Sequence, residues 1–173
     1  NMKIVTLLLS LMVLLVPASQ AKDDVRVTNA EYGFSVKLPD GVSLVRHKQD
    51  DGVDSLGNAT KCDTFESSDS NFSATVYVTT YAESIPMTAD NLETFIQRFS
   101  DKYSISKVDH DTIDGQPSAS ALLESKADDG TYMLMDVLAT AKGNRLYMVY
   151  YIRNPESKLD LNGSLFIQSF RMQ

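Results

Sequence analysis

A central antiparallel sheet of about six to seven strands, sandwiched between helices, is the α+β architecture this sequence predicts. Three observations carry that expectation. The first is a hairpin in which Thr131 to Thr140 and Arg145 to Ile152, two apolar, aromatic and β-branched runs, flank Ala141-Lys142-Gly143-Asn144. Both runs are apolar at nearly every position. A strand wet on one side alternates, so the hairpin is expected at the sheet centre with both faces covered. The second is a stripe of Leu92, Phe95, Ile96, Phe99 and Tyr103 at helical spacing. The third is a C-terminal run carrying Leu159, Leu165, Phe166, Ile167 and Phe170, which reads as a last helix. One helix on each face would cover the hairpin, giving an αβα sandwich.

The chain opens on a segment that reads as a signal peptide over 1–21. Asn1 stands before an initiator-like Met2, Lys3 gives a minimal basic start, and Ile4 to Val16 is apolar except at Thr6 and Ser10. Ser19 and Ala21 then place small residues where signal peptidase needs them. The apolar run is shorter than the ~20 residues that span a bilayer. Export to the periplasm or the extracellular space is therefore expected, with no integral span after cleavage. Residues 22–173 are expected to form a single domain, since no repeat and no linker divides them.

Within that domain, Val25 to Asn29 reads as a short strand. Tyr32 to Leu38 reads as a second, with Phe34, Val36 and Leu38 on one face, ended by Pro39-Asp40-Gly41. Val42 to Arg46 is extended, and His47 to Thr60, with Asp50, Asp51 and Asp54, reads as an exposed loop. Lys61 to Glu66 is a short strand. Phe72 to Tyr81 follows with period two, Phe72, Ala74, Val76 and Val78 facing in. Ala89 to Lys102 is the expected helix, capped by Thr88, with Met87 placed to staple onto Leu92. Ile105 to Val108 is short and extended, Asp109 to Pro117 a turn region, and Ser118 to Lys126 a strand. Asp128-Asp129-Gly130 is a tight turn into the hairpin.

The 173 residues are 43% hydrophobic and 23% charged, an ordinary globular balance, with a net charge of −7. An acidic chain without a basic cluster is a poor partner for nucleic acid or anionic membranes. Cys62 is the one cysteine, so no internal disulfide forms, and a core or half-buried strand position suits it better than a nucleophile's role. Asn58, Asn71 and Asn162 head glycosylation sequons, relevant only to a eukaryotic source.

Four pieces, Tyr32 to Gly41, Ile113 to Pro117, Leu146 to Tyr150 and Phe166 to Phe170, keep an order that resembles the PsbP-like superfamily, which includes exported bacterial proteins such as DcrB and LpqN. The resemblance implies an antiparallel sheet between helices. It also implies an accessory or binding role rather than an activity, because no catalytic motif of the family can be placed here. The metal association of its photosynthetic members is not implied, for want of a matching ligand set.

The most chemical-looking cluster is Asp109, His110, Asp111 and Asp114, a candidate weak site for a divalent cation. Its spacing departs from a calcium loop, since Ile113 and Asp114 stand where an oxygen ligand and Gly belong. His47 and His110 are the only histidines, and no nucleophile elbow, phosphate loop or paired-His zinc motif accompanies them. Asp136 is the odd residue inside an apolar strand, expected to pair with Arg145 or Lys126, to lie where the strand meets solvent, or else to line a pocket. Tyr77, Tyr81, Tyr147, Tyr150 and Tyr151, with Met133, Met135 and Met148, are either core margin or a patch for a protein or apolar ligand. The expected function is that of an exported, non-enzymatic accessory or binding protein without cofactor, a monomer or weak dimer with a protein or small-ligand partner. The alternatives are a carrier of a small apolar ligand or metal, and a hydrolase built from scattered acids.

Overall fold

The computed structural model describes residues 24–39, 42–48, 51–53, 57–68, 72–126, 130–154 and 163–173. The segment 1–21 expected as a leader, Asp50, Asp54, Asn71, the expected Asp128-Asp129 turn, Leu159 and Asn162 lie outside the described residues. The chain begins with strands β1 (Asp24–Asn29), β2 (Phe34–Pro39), β3 (Val45–Lys48), β4 (Gly52–Val53), β5 (Ala59–Ser68) and β6 (Phe72–Thr80). Helix α1 (Ala89–Gln97) follows, then β7 (Ser104–Ile113), β8 (Gln116–Lys126), β9 (Tyr132–Lys142) and β10 (Arg145–Arg153). Helix α2 (Gly163–Ser169) and β11 (Arg171–Met172) close it.

These strands form two antiparallel sheets. The larger has eight strands in the order β3-β5-β6-β10-β9-β8-β7, with β4 also paired to β5. The smaller has three, β1-β2-β11. The fold is thus β-rich, and the helix-sandwiched α+β architecture predicted from the sequence is overturned. The error has a physical source. Alternation in Tyr32 to Leu38 identifies a strand with one buried face but not the sheet it joins. Here β2 pairs with β1 and β11 and lays Phe34, Val36 and Leu38 onto the large sheet. The cover expected from a C-terminal helix is supplied mainly by that second sheet, while α2 has only seven residues.

The hairpin β9–β10 does lie mid-sheet, and both its faces are covered. On one face Tyr147, Val149 and Tyr151 join Phe65, Val76 and Val78 under β2, Phe166 and Phe170. On the other, Met135, Val137 and Ala139 pack with Ala119 and Leu123 under Leu92 and Ile96 of α1. The two covers are offset. Helix α1 sits over β7, β8 and β9, whereas the small sheet and α2 sit over β5, β6, β10 and β9. The covers overlap on β9, whose near-continuous apolarity follows from burial on both faces, while the equally apolar β10 buries Leu146 and Met148 on its second face beside α1.

Helix α1 starts as its cap predicts. Thr88 Oγ1 accepts from the Asn91 amide at 3.2 Å, and Asn91 Oδ1 accepts from the Thr88 amide at 3.3 Å. After Gln97 the backbone continues in tighter turns, with Phe99 N donating to Ile96 O at 3.0 Å, so Phe99 and Tyr103 stay on the buried stripe. The region 109–117, expected to be a turn, is instead the end of β7, a two-residue turn and the start of β8. As an edge strand β7 is polar on both sides and shows no period, and a register shift between Ile105 and Val108 interrupts its pairing.

A polar knot pins the turn before β2 to β3 and β5. Tyr32 Oη donates to Asp63 Oδ2 at 2.8 Å, Arg46 Nε donates to Asp63 Oδ1 at 3.0 Å, and the Arg46 guanidinium also donates to Tyr32 Oη. Gly33, at φ +66°, lets the chain turn under Arg145, since a Cβ there would meet Nη1 at 3.2 Å.

Candidate ligand-binding groove

The offset of the two covers leaves half of one sheet face open. Beside α1, where β5, β6 and β10 run out from under the helix, lies a groove of about 860 Å³. Strand alternation decides what lines its floor. Val76 and Val78 of β6 turn toward the small sheet, so Tyr77 and Thr79 turn into the groove. Likewise Tyr147, Val149 and Tyr151 of β10 face the small sheet, leaving Leu146, Met148 and Tyr150 in the floor beside Cys62 of β5. Phe95, Arg98 and Phe99 of α1 form one wall, and Gly52 and Val53 of β4 contribute at the β5 side.

Segment 81–87 closes one end and is fixed to the turn between β9 and β10. Tyr81 N donates to Asn144 O and Asn144 Nδ2 donates to Tyr81 O, both at 2.9 Å. Ile85 N and Ser84 Oγ donate to Gly143 O at 3.0 and 3.1 Å. At the other end Phe99 meets Tyr150 edge-on, ring centroids 6.4 Å apart. The groove is therefore a framed depression, bounded by a hydrogen-bonded loop and a helix seated through Leu92 and Ile96.

The floor is neutral. Cys62 is a buried free thiol, its Sγ 3.9 Å from Thr79 Oγ1. Burial pushes the Tyr77 phenol up to about 12, with the hydrogen bond to Cys62 acting in the same direction. Burial also raises Tyr150. A phenol whose folded pKa lies above its ordinary 10 favours the protonated, folded form, so its contribution is complete below pH 10 and is lost as pH rises toward 12. Stability is thus expected to fall across that window, and less steeply in Tyr77→Phe than in the natural chain. Urea unfolding at a series of alkaline pH values checks this; parallel curves for the two proteins would remove Tyr77 from the effect.

The residues singled out in the sequence go elsewhere. His110 lies opposite Ala119 and faces α1, with Nε2 2.8 Å from Glu93 Oε2 and Nδ1 3.7 Å from Asp90 Oδ1. Asp109 and Asp111 are on the opposite side of β7 by alternation. Asp109 pairs with Lys107, and Asp111 Oδ1 accepts from Thr112 N at 2.7 Å. Asp114, at φ 49°, accepts from Met172 N at 2.8 Å and so ties the β7–β8 turn to β11. The four are not brought together. Among the described residues no group of three or more His, Cys, Asp or Glu is placed to hold a metal ion.

Asp136 lies on the α2 side of the sheet, opposite Tyr151, and ion-pairs with Arg153 at 3.8 Å. Arg145, one of its expected partners, instead lies over the Tyr32 ring at 5.7 Å. Of the tyrosines and methionines weighed as a patch, Tyr77, Tyr81, Tyr150 and Met148 line the groove, while Tyr147 and Tyr151 are core. Sequence reasoning missed Arg98. Its only signal is a cation set among Phe95, Ile96 and Phe99.

No protein-family model matches the chain, and no curated protein sequence matches it. Among solved structures it is similar to PA94, a protein of unknown function from Pseudomonas aeruginosa. The two are 10% identical with a TM-score of 0.39, over 76% of this chain and 83% of that one.

Proposed function

We propose that this protein is a non-enzymatic binding module that holds a small, largely apolar ligand in the groove beside α1. The observation that carries this reading is the groove itself. A framed site of about 860 Å³ lies within the size range of small-molecule sites, and its aromatic and aliphatic walls with a few neutral polar groups match their chemistry. Both histidines lie outside its lining, which favours binding over acid–base chemistry there. The resemblance of Tyr32 to Gly41 and the later pieces to the PsbP-like superfamily agrees with an accessory or binding role. The leader-like segment 1–21 supports a role outside the cytoplasm.

The test is a titration with N-phenyl-1-naphthylamine, an uncharged apolar fluorophore that brightens when it leaves water. The natural protein is expected to bind it saturably. Thr79→Trp, which fills the floor beside Cys62 from a side chain already lining the groove, should weaken binding more than ~10-fold, since overfilling a packed site leaves no room for the ligand. A thermal melt confirms that the variant is folded. Unchanged binding in folded Thr79→Trp would move the site away from this groove.

A further inference from the structure

We infer that the groove takes a single-chain amphiphilic organic acid in one direction, its acidic head at Arg98 and its apolar body along Tyr150, Met148 and Leu146. This deepens the binding reading above and rests on it. Only two lining residues carry charge, Glu83 and Arg98, and neither makes an ion pair among the described residues. They stand at opposite ends. Glu83 is on the segment fastened to Gly143 and Asn144, the end where β10 begins near Leu146. Arg98 caps the C-terminus of α1 next to Phe99, which meets Tyr150 at the far end.

The Arg98 guanidinium is held over the Phe95 ring, 4.6 Å from its centroid, which presents a positioned planar donor rather than a freely rotating cation. Between the two ends the floor offers only thiol, hydroxyl and phenol groups, so a charge placed mid-groove has no counter-ion. From Leu146 to Tyr150 the strand rises about 13 Å, enough for a medium-chain acyl group. A carboxylate at the Glu83 end would be repelled, so orientation is set at both ends. The chain's net charge of −7 gives anions no general attraction, so selection for the acid has to come from Arg98 locally.

Decanoate and decanol, competing against bound N-phenyl-1-naphthylamine, separate the head from the body. In the natural protein both should displace the fluorophore, and only decanoate should weaken as salt is raised. Arg98→Gln should weaken decanoate roughly fivefold more than it weakens decanol or the fluorophore, the upper size of an exposed ion pair. Arg98→Lys should keep most of the preference. Equal change for both competitors, no change for either, or a decanoate affinity indifferent to salt would overturn the role of Arg98 while leaving the groove as a binding site. No binding of the fluorophore at all would instead overturn the groove reading on which this rests.

Discussion

Phe34→Ala is expected to cost about 3–5 kcal/mol of folding stability, the range for deleting a fully buried phenylalanine. Phe34 is wholly buried and sits where the small sheet meets the large one, its ring edge-on to Phe65 at 5.2 Å and stacked with Phe170 at 6.2 Å. It therefore joins β2, β5 and the end of α2 through one side chain. Neighbours cannot close the gap cheaply, because β2 is also held by the Tyr147 hydroxyl donating to Tyr32 O at 2.8 Å and by Lys37 N donating to Ser169 Oγ at 2.7 Å. Such fixed surroundings put the loss toward the upper end of the range. Chemical denaturation followed by circular dichroism measures it. A loss below about 1 kcal/mol would mean that the two sheets are not joined through a true core at this position.

The same region shows what the sequence could and could not disclose. Local chemistry was legible: the Thr88 cap, the buried stripe of α1, the period-two face of β6 and the hairpin covered on both sides all follow from residue type and spacing. Pairing partners were not legible. Tyr32 to Leu38 alternates as any half-buried strand does, and its partner β11 is more than a hundred residues away and two residues long. The polar residues 109–112 carry no hydrophobic period because an edge strand does not need one, so they read as a turn and suggested a metal cluster that alternation in fact separates. The groove is less legible still. Tyr77, Met148 and Tyr150 were visible as candidates, but whether they are covered depends on how far α1 reaches across the sheet, and no local pattern encodes that.

That reach makes Ile96 the residue at which stability and binding should meet. Ile96 and Leu92 are the wholly buried residues of α1, and they dock the helix on β8 and β9. Phe95 and Arg98, one position before and two after Ile96, form the groove wall, so the docking face and the binding face belong to the same two turns of helix. Ile96→Ala is expected to cost about 2–5 kcal/mol. Its effect should stay local, because α1 and the small sheet pack into separate core clusters on opposite faces of the large sheet, and the helix has little propensity to persist undocked at nine residues. Amide exchange should therefore accelerate across Ala89–Gln97 while β2 keeps its protection. Affinity for N-phenyl-1-naphthylamine should fall with it, since a wall that is partly undocked reduces the fraction of molecules able to bind. Phe34→Ala should give the reverse pattern, with faster exchange in β2 and little change in affinity among the molecules that remain folded. If Ile96→Ala destabilises the protein and loosens α1 without weakening the fluorophore, then α1 is not a wall of the site, and the ligand must rest on the sheet alone.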